Sequence, residues 1–140
     1  MPQFRKLETA SFSCYYLQVR IFKNPWFSRF ASKAGIQDSE LRDIVHNVLE
    51  TGQTAVDLGG GVYKVRIARP GEGKSGGYRV IVFFKIGERT FFHYGFAKAA
   101  QDNISKGELK IMKKQAKKHF AQSDEQIHEQ LTNGTLLEIT

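Results

Sequence analysis

The chain contains little of what several common protein classes require. It has 140 residues and a single cysteine, which excludes an internal disulfide framework and a cysteine-based zinc site. No apolar run approaches the length of a membrane-spanning helix, which is about 18 residues. The first part of the chain also has no apolar stretch long enough for the core of a signal peptide. At this length we therefore expect one domain, and we expect a cytoplasmic protein.

Acidic residues are scarce in one particular segment. The whole chain carries 21 Lys+Arg against 14 Asp+Glu, a net charge of +7. Residues 61–98 carry eight basic and two acidic residues, so this segment alone has a net charge of +6. Such a concentration of positive charge is typical of proteins that bind a polyanion, with nucleic acid first and a membrane surface second. The alternative is a generally basic surface that binds nothing in particular.

Recognisable metal and nucleophile motifs are also missing. The four histidines share no spacing that suits metal ligation: His46, His93, His119 and His128. No serine has the strand–turn–helix context of a nucleophile elbow. Lys74 lies in a Gly-Lys-Ser sequence, but Ala68 occupies the position where a P-loop needs its first glycine, and a strand follows instead of a helix. We therefore predict no metal site and no cofactor.

The first half of the chain predicts a strand and two helices. A short strand over 19–24 precedes a helix that Asn24 caps and that ends at Gly35. Its predicted apolar face consists of Trp26, Phe27, Phe30 and Ala31. A second helix over 38–51 has apolar residues at i, i+3, i+4, i+7 and i+8. Because only residues 35–37 separate them, the two helices are predicted to form a hairpin.

In the second half of the chain the apolar residues recur at every second position, as they do in strands. Residues 55–60 are extended, residues 62–68 alternate between apolar and basic side chains, and residues 78–86 are almost continuously apolar. The last pattern is typical of a central strand covered on both faces. A turn then leads into a returning strand over 89–97, which predicts an antiparallel hairpin.

Two capping boxes predict two C-terminal helices. The first begins at Ser105, and the second begins at Ser123. The outer face of the first helix is rich in lysine, which indicates a solvated face or additional phosphate contacts. Residues 136–139 are predicted to return as an edge strand.

The remaining candidate site is a set of cations on the predicted strands. Lys64 and Arg66 share one face of their strand, and antiparallel pairing brings residues near the glycine-rich loop together. Those loop-proximal residues are Arg66, Arg69, Lys74 and Arg79, while His93, Tyr94 and Lys98 arrive on the third strand. Like charges that converge on one surface are unfavourable without an anionic partner. The alternative is that these are unrelated solvent-exposed charges.

Two stretches of this region resemble a known family. GGGVYKVRIARPGEGKSGGYRVIVFFK and FFHYGFAK are similar to sequences of RelE/HigB-type toxins of bacterial toxin–antitoxin systems. The resemblance runs from about Val19 to the end of the chain. It implies an α+β fold of the RelE-like microbial ribonuclease type: a twisted, mainly antiparallel sheet with an N-terminal helical hairpin and C-terminal helices. The expected domain is a single toxin domain over 19–140, preceded by an extension over 1–18.

The resemblance also implies a function. Members of this family cut messenger RNA in the ribosomal A site, which inhibits translation, and a cognate antitoxin neutralises them. In this subgroup the antitoxin is often a helix-turn-helix DNA-binding protein, and no membrane partner is expected. The alternative is a non-catalytic or ParE-like toxin, which acts on DNA gyrase or only binds RNA or the antitoxin.

The family pattern assigns roles to particular residues. The family's catalytic cations match Lys64, Arg66 and Arg79, whereas Arg69 and Lys74 match the loop of the subgroup and Lys98 matches its basic residue after the last strand. With Lys74 added as a second candidate base, the predicted catalytic set is Lys64, Arg66, Lys74 and Arg79. The predicted RNA-binding set is Arg69, His93, Tyr94 and Lys98. Arginine forks suit the phosphate oxygens, whereas the general base is either of the two lysines. His93 or Tyr94 is expected to stack on a base or to donate a proton. Many relatives have an arginine near Gln101 and a tyrosine near Ser105, and this chain has neither.

Overall fold

The computed structural model describes residues 19–69 and 76–140, which form an α+β fold with one six-stranded sheet. The predicted N-terminal extension over 1–18 lies outside the described residues. Lys74 and most of the glycine-rich loop also lie outside them.

The elements follow the predicted order along the chain. They are β1 (Ile21–Lys23), α1 (Pro25–Ala34), α2 (Asp38–Ile44), β2 (Ala55–Asp57), β3 (Val62–Ile67), β4 (Tyr78–Phe83), β5 (Thr90–Ala97), α3 (Lys106–Phe120), α4 (Asp124–Asn133) and β6 (Leu137–Ile139). A single π-helical segment, Val45–Leu49, continues α2. None of the helices in the described ranges is long and apolar enough to cross a bilayer.

The sheet has the strand order β2-β3-β4-β5-β1-β6. Strands β2 to β5 form an antiparallel meander, because each strand pairs in antiparallel orientation with the next strand along the chain. β1 lies beside β5 in parallel orientation and pairs with β6 in antiparallel orientation. The sheet is therefore mainly antiparallel, with one parallel pair, β1 and β5, next to the edge strand β6.

Helices cover both faces of the sheet. α1 and α2 pack on what we call the back face, where Phe27 and Leu41 meet Val65 and Val80 in one buried cluster. α3 and α4 pack on the front face, where Met112 and Ile127 belong to a second cluster with Val62, Ile81 and Phe83. Since both faces are covered, Val80–Phe83 are all buried, as the continuous apolar run predicted.

Local signals explain where the helices begin and end. The Asn24 side chain accepts a hydrogen bond from the Phe27 amide at 2.7 Å, and Gly35 ends α1 with a left-handed φ of 74°. The predicted helix over 38–51 is α-helical only to Ile44 and then widens into the π-helical segment. Both predicted capping boxes are present, at Ser105 and at Ser123.

Trp26 differs from its predicted position in the apolar face of α1. Its side chain is 42% exposed, whereas Phe27 and Ala31 are buried. The reason is that β1 ends at Lys23, so the part of β5 beyond Phe92 has no neighbouring strand on that side. Trp26 covers this edge, with its ring stacked 4.8 Å from the Tyr94 ring. The side-by-side packing of α1 and α2 as a hairpin stays a prediction.

Candidate nucleic-acid interface

Three basic residues of neighbouring strands lie together on the front face of the sheet. Arg66 of β3 is directly opposite Arg79 of β4, and Lys64 projects from the same face two residues earlier in β3. We call Lys64, Arg66 and Arg79 the cationic row. The meander thus brings together three of the four predicted catalytic residues, while Lys74 is outside the described residues.

The two arginines form a like-charge cross-strand pair. Side chains directly opposite each other have Cβ atoms about 5 Å apart, where two like charges destabilise the pairing. Arg66 is exposed, and Arg79 is half-buried with one weak hydrogen bond, from Nη1 to the Tyr78 carbonyl oxygen at 3.4 Å. Neither arginine forms an ion pair with any carboxylate among the described residues. An anion placed between them would relieve the repulsion.

The loop after β5 borders the row. The Lys64 Nζ donates a hydrogen bond to the Asn103 Oδ1 at 3.3 Å, and the Tyr94 hydroxyl donates to the Gln101 Oε1 at 3.2 Å. Gln101 is itself fixed, because its Nε2 donates to the Asn103 carbonyl oxygen at 2.8 Å. Tyr94 lies opposite Ile81, in the same register as Lys64, which places its side chain on the front face.

Gln101 and Asn103 are the two residues of this site that the sequence did not predict. The signal for them is a run of polar side chains, Gln-Asp-Asn, that begins four residues after the end of β5. Such a run at a strand end is a frequent position for binding residues.

Lys98 stands beside the row but has a partner. Its amide donates to the Gly77 carbonyl oxygen at 3.0 Å, which ties the end of β5 to the start of β4. Its Nζ forms an ion pair with the Asp102 carboxylate at 3.0 Å. The Asp102 side chain is almost fully exposed, so this pair contributes little to stability, and the role of Lys98 in RNA binding stays a prediction.

The structure does not bring Arg69 together with the row. Its guanidinium donates hydrogen bonds to the Ala34 carbonyl oxygen and to the Tyr78 hydroxyl, and it lies over the Tyr78 ring at 5.0 Å. Both partners belong to the back face. Arg69 therefore holds the end of α1 on the sheet, and its role in RNA binding stays a prediction.

His93 also lies apart from the row. Its ring is stacked on Phe83 at 4.6 Å and faces His119, in a small cavity of about 250 Å³ between the sheet and the C-terminal helices. Burial, and secondarily the neighbouring His119, lowers the pKa of His93 to about 4. The ring is therefore neutral at neutral pH. We found no cluster of three or more potential metal ligands in the described part of the chain.

A second basic surface flanks α3. It is a cleft of about 690 Å³ with the Phe120 ring and Ala121 in its lining, and Gly60 and Glu88 also border it. Its basic residues are Lys85, Lys110, Lys113, Lys114 and Lys117. We call this the lysine cleft. It lies at the opposite end of β3 from Arg66.

A comparison with protein-family models matches residues 19–139 to the RelE toxin of RelE/RelB toxin–antitoxin systems. No curated protein matches the chain.

Proposed function

The chain belongs to the RelE toxin family, and on that premise we propose that it cuts messenger RNA on the ribosome by attack of the RNA's own 2′-hydroxyl on the adjacent phosphate. Membership makes the chain a toxin of a toxin–antitoxin system, and toxins of this family are generally endoribonucleases. The proposed domain covers residues 19–140. Its proposed neutralising partner is a cognate antitoxin with a helix-turn-helix DNA-binding domain.

The observation that carries the proposal is the arginine pair. Arg66 and Arg79 face each other on the front of the sheet without a carboxylate between them among the described residues. Folding tolerates this repulsion, which is of the order of 0.2–1 kcal/mol for a cross-strand pair. A phosphate between two guanidinium forks would convert the repulsion into charge-assisted hydrogen bonds.

The same pair suits the proposed reaction. As the 2′-oxygen bonds to phosphorus, negative charge grows on the two non-bridging oxygens, and fixed arginine donors stabilise that charge more strongly than they stabilise the ground state. The 5′-oxygen then leaves, and a 2′,3′-cyclic phosphate remains. The arginines do not move protons, because arginine stays protonated in proteins.

Proton transfer requires other groups. We assign Lys64 as the candidate base for the 2′-hydroxyl proton, since the Asn103 Oδ1 holds its Nζ beside the row. Tyr94 is the candidate donor to the leaving oxygen, because its hydroxyl is fixed by Gln101 on the same face. Lys74 remains a second candidate base. His93 is left out of this step because its ring is stacked on Phe83 in the cavity beside His119, apart from the cationic row.

The experiment compares Arg66→Ala, Arg79→Ala and the double variant with Arg29→Ala, which removes an exposed arginine from α1. We expect the first three to abolish growth arrest on induction and the control to keep it. The melting temperature of the row variants should stay the same or rise, because a repulsion is removed. Full toxicity of a folded double variant would contradict the assignment.

Mapping of transcript ends separates this function from the gyrase alternative. Primer extension after induction should show cuts in phase with codons, and these cuts should disappear in the double variant. DNA damage with intact transcripts would instead support a ParE-like toxin.

A further inference from the structure

We propose that the lysine cleft is a docking site for the phosphate backbone of RNA, separate from the cationic row and without a part in the chemistry. The proposal deepens the function proposed above, because it assigns a second RNA contact to the same toxin. The ligand chemistry is a run of phosphodiesters, and the proposed source is ribosomal RNA.

The lysines of the cleft differ from the paired cations of this protein. Arg20, Lys23, Arg89 and Lys98 each form an ion pair with a carboxylate. By contrast, the cleft lysines of α3 form neither an ion pair nor a side-chain hydrogen bond within residues 19–69 and 76–140. Lys110, Lys113 and Lys117 follow one another at spacings of three and four residues, with Lys114 next to Lys113, so they make a continuous stripe along the helix. A stripe of unpaired like charges is stabilised when a polyanion replaces its counterions.

The packing around the cleft holds this stripe in place. Gly59, Gly60 and Gly61 all have positive φ, and they let α3 approach the start of β3 closely. A Cβ on Gly60 would lie 3.2 Å from the Lys113 Cγ, and one on Gly61 would lie 2.7 Å from the Phe120 Cε2. The Lys85 Nζ also lies 4.9 Å from the centroid of the Phe120 ring. Lys85 and Lys113 are therefore both held in the lining of the cleft by packing contacts.

The position of the cleft favours an extended polyanion as the ligand. The cleft and the cationic row lie on the same side of the sheet, and Val62 to Arg66 alone spans about 13 Å at about 3.3 Å per residue. A single phosphate cannot reach both surfaces, whereas an RNA molecule can. An acidic segment of a protein is the competing ligand, and it becomes one outcome of the test.

The test uses a triple variant in which Lys110, Lys113 and Lys117 are changed to Gln. All three residues are exposed, so the helix is preserved. The matched control changes Arg29, Lys33 and Lys118 to Gln, which removes the same charge from exposed positions outside the cleft. The affinity of each protein for purified 70S ribosomes is measured by sedimentation at several salt concentrations.

We expect the cleft variant to bind ribosomes about tenfold more weakly at low salt. The slope of log affinity against log salt should fall by about 2 to 3, because each lost phosphate contact removes about 0.7–0.9. The control should change the slope by less than about 1. Cleavage of ribosome-bound mRNA at saturating toxin should be unchanged in the cleft variant.

Two outcomes would overturn the proposal. One is an equal loss of affinity in both triple variants, which would show a non-specific charge effect. The other is unchanged ribosome affinity, and a loss of affinity for the antitoxin alone would then assign the cleft to an acidic protein segment. Because sedimentation does not require cleavage, a wild-type chain that binds ribosomes without cutting mRNA would contradict the proposed nuclease. Weaker ribosome binding by the cleft variant than by the control would still support the docking site.

Discussion

The imidazole of His93 lies against the Phe83 ring, and the Phe91 ring is stacked on His119 at 4.6 Å. The contact between Phe91 and His119 joins β5 to the end of α3. Burial lowers the pKa of both rings, and for His93 the value is about 4 against an ordinary 6.5. The folded state therefore holds His93 neutral, while the unfolded chain takes up a proton below about pH 6.5.

The sign of the pH dependence follows from this difference. Above pH 6.5, the pKa of histidine in the unfolded chain, the neutral His93 ring costs the folded protein no stability. As the pH falls from 6.5 to about 4, the free energy of unfolding decreases, because only the unfolded chain takes up the proton. The loss from this group is about 3 kcal/mol at about 1.4 kcal/mol per pKa unit. We predict that urea unfolding of the His93→Gln variant will lose less stability between pH 7 and pH 4 than the wild type does. His128→Gln, at an exposed position, should follow the wild type, and equal pH slopes in all three proteins would contradict the prediction.

Individual site residues were predictable only where strand geometry fixed them. The alternation in β3 and the antiparallel turn to β4 placed Lys64, Arg66 and Arg79 on one face, and the structure has them there. Arg69 lies two residues beyond the end of β3, where alternation no longer applies, so its contact with α1 could not be predicted from the sequence. His93 lies at an irregularity between Ile81 and Val82 in the β4–β5 pairing, which shifts the register.

At the scale of elements, one glycine decides how α1 meets β5. Gly95 is buried, and a Cβ there would lie 2.3 Å from the Cε2 of Phe30. The ring of Phe30 thus lies directly on the strand backbone and meets the Tyr78 ring edge-on at 5.5 Å. Gly95, the glycine of the YGFAK sequence, therefore has a packing role on the back face of the sheet.

Gly95→Ala is therefore predicted to destabilise the protein by about 1–3 kcal/mol, because Phe30 or the strand must shift. Gly107→Ala is the matched control, since a Cβ there meets nothing closer than 4.0 Å and alanine favours the helix by up to about 1 kcal/mol. Urea midpoints measure both effects. A Phe30→Leu change in the Gly95→Ala background should recover part of the loss, and a Gly95→Ala protein as stable as the wild type would contradict the packing role.

Elements with local signals were predicted well, and those set by distant contacts were not. The caps of α3 and α4 and the strands of the meander follow from residues close in sequence. The predicted strand over 78–86 ends earlier, at Phe83, whose partner Val62 is the first residue of β3. The parallel pairing of β1 with β5 depends on residues about 70 positions apart, and no local pattern reports it.

At the scale of the whole molecule, the two ends of the described chain hold each other in the sheet. β6 pairs with β1, and Arg20 donates two hydrogen bonds of 2.9 Å to the Glu138 carboxylate. The Arg20 side chain holds the pKa of Glu138 below its usual range. Leu136 and Ile139 are buried, one in each core cluster.

Removal of residues 134–140 should accordingly cost at least about 3 kcal/mol, since two buried aliphatic side chains are lost at about 1.5–3 kcal/mol each. Leu137→Ala is the control, because this side chain of the same strand is exposed and its loss should cost little. Thermal unfolding by circular dichroism measures both. A truncated chain that melts at the wild-type temperature would show that β6 contributes nothing to the fold.

The place of β1 in the sheet has a consequence for the synthesis of the chain. Phe22 is fully buried, yet its strand partners are Phe91 and Glu138, which the ribosome makes much later. The hairpins of the meander can form as they emerge, since their contacts are local. The sheet itself is completed only when β6, the last strand of the described chain, has left the exit tunnel. β1 is therefore made first, but it can join the sheet only after β5 has been made.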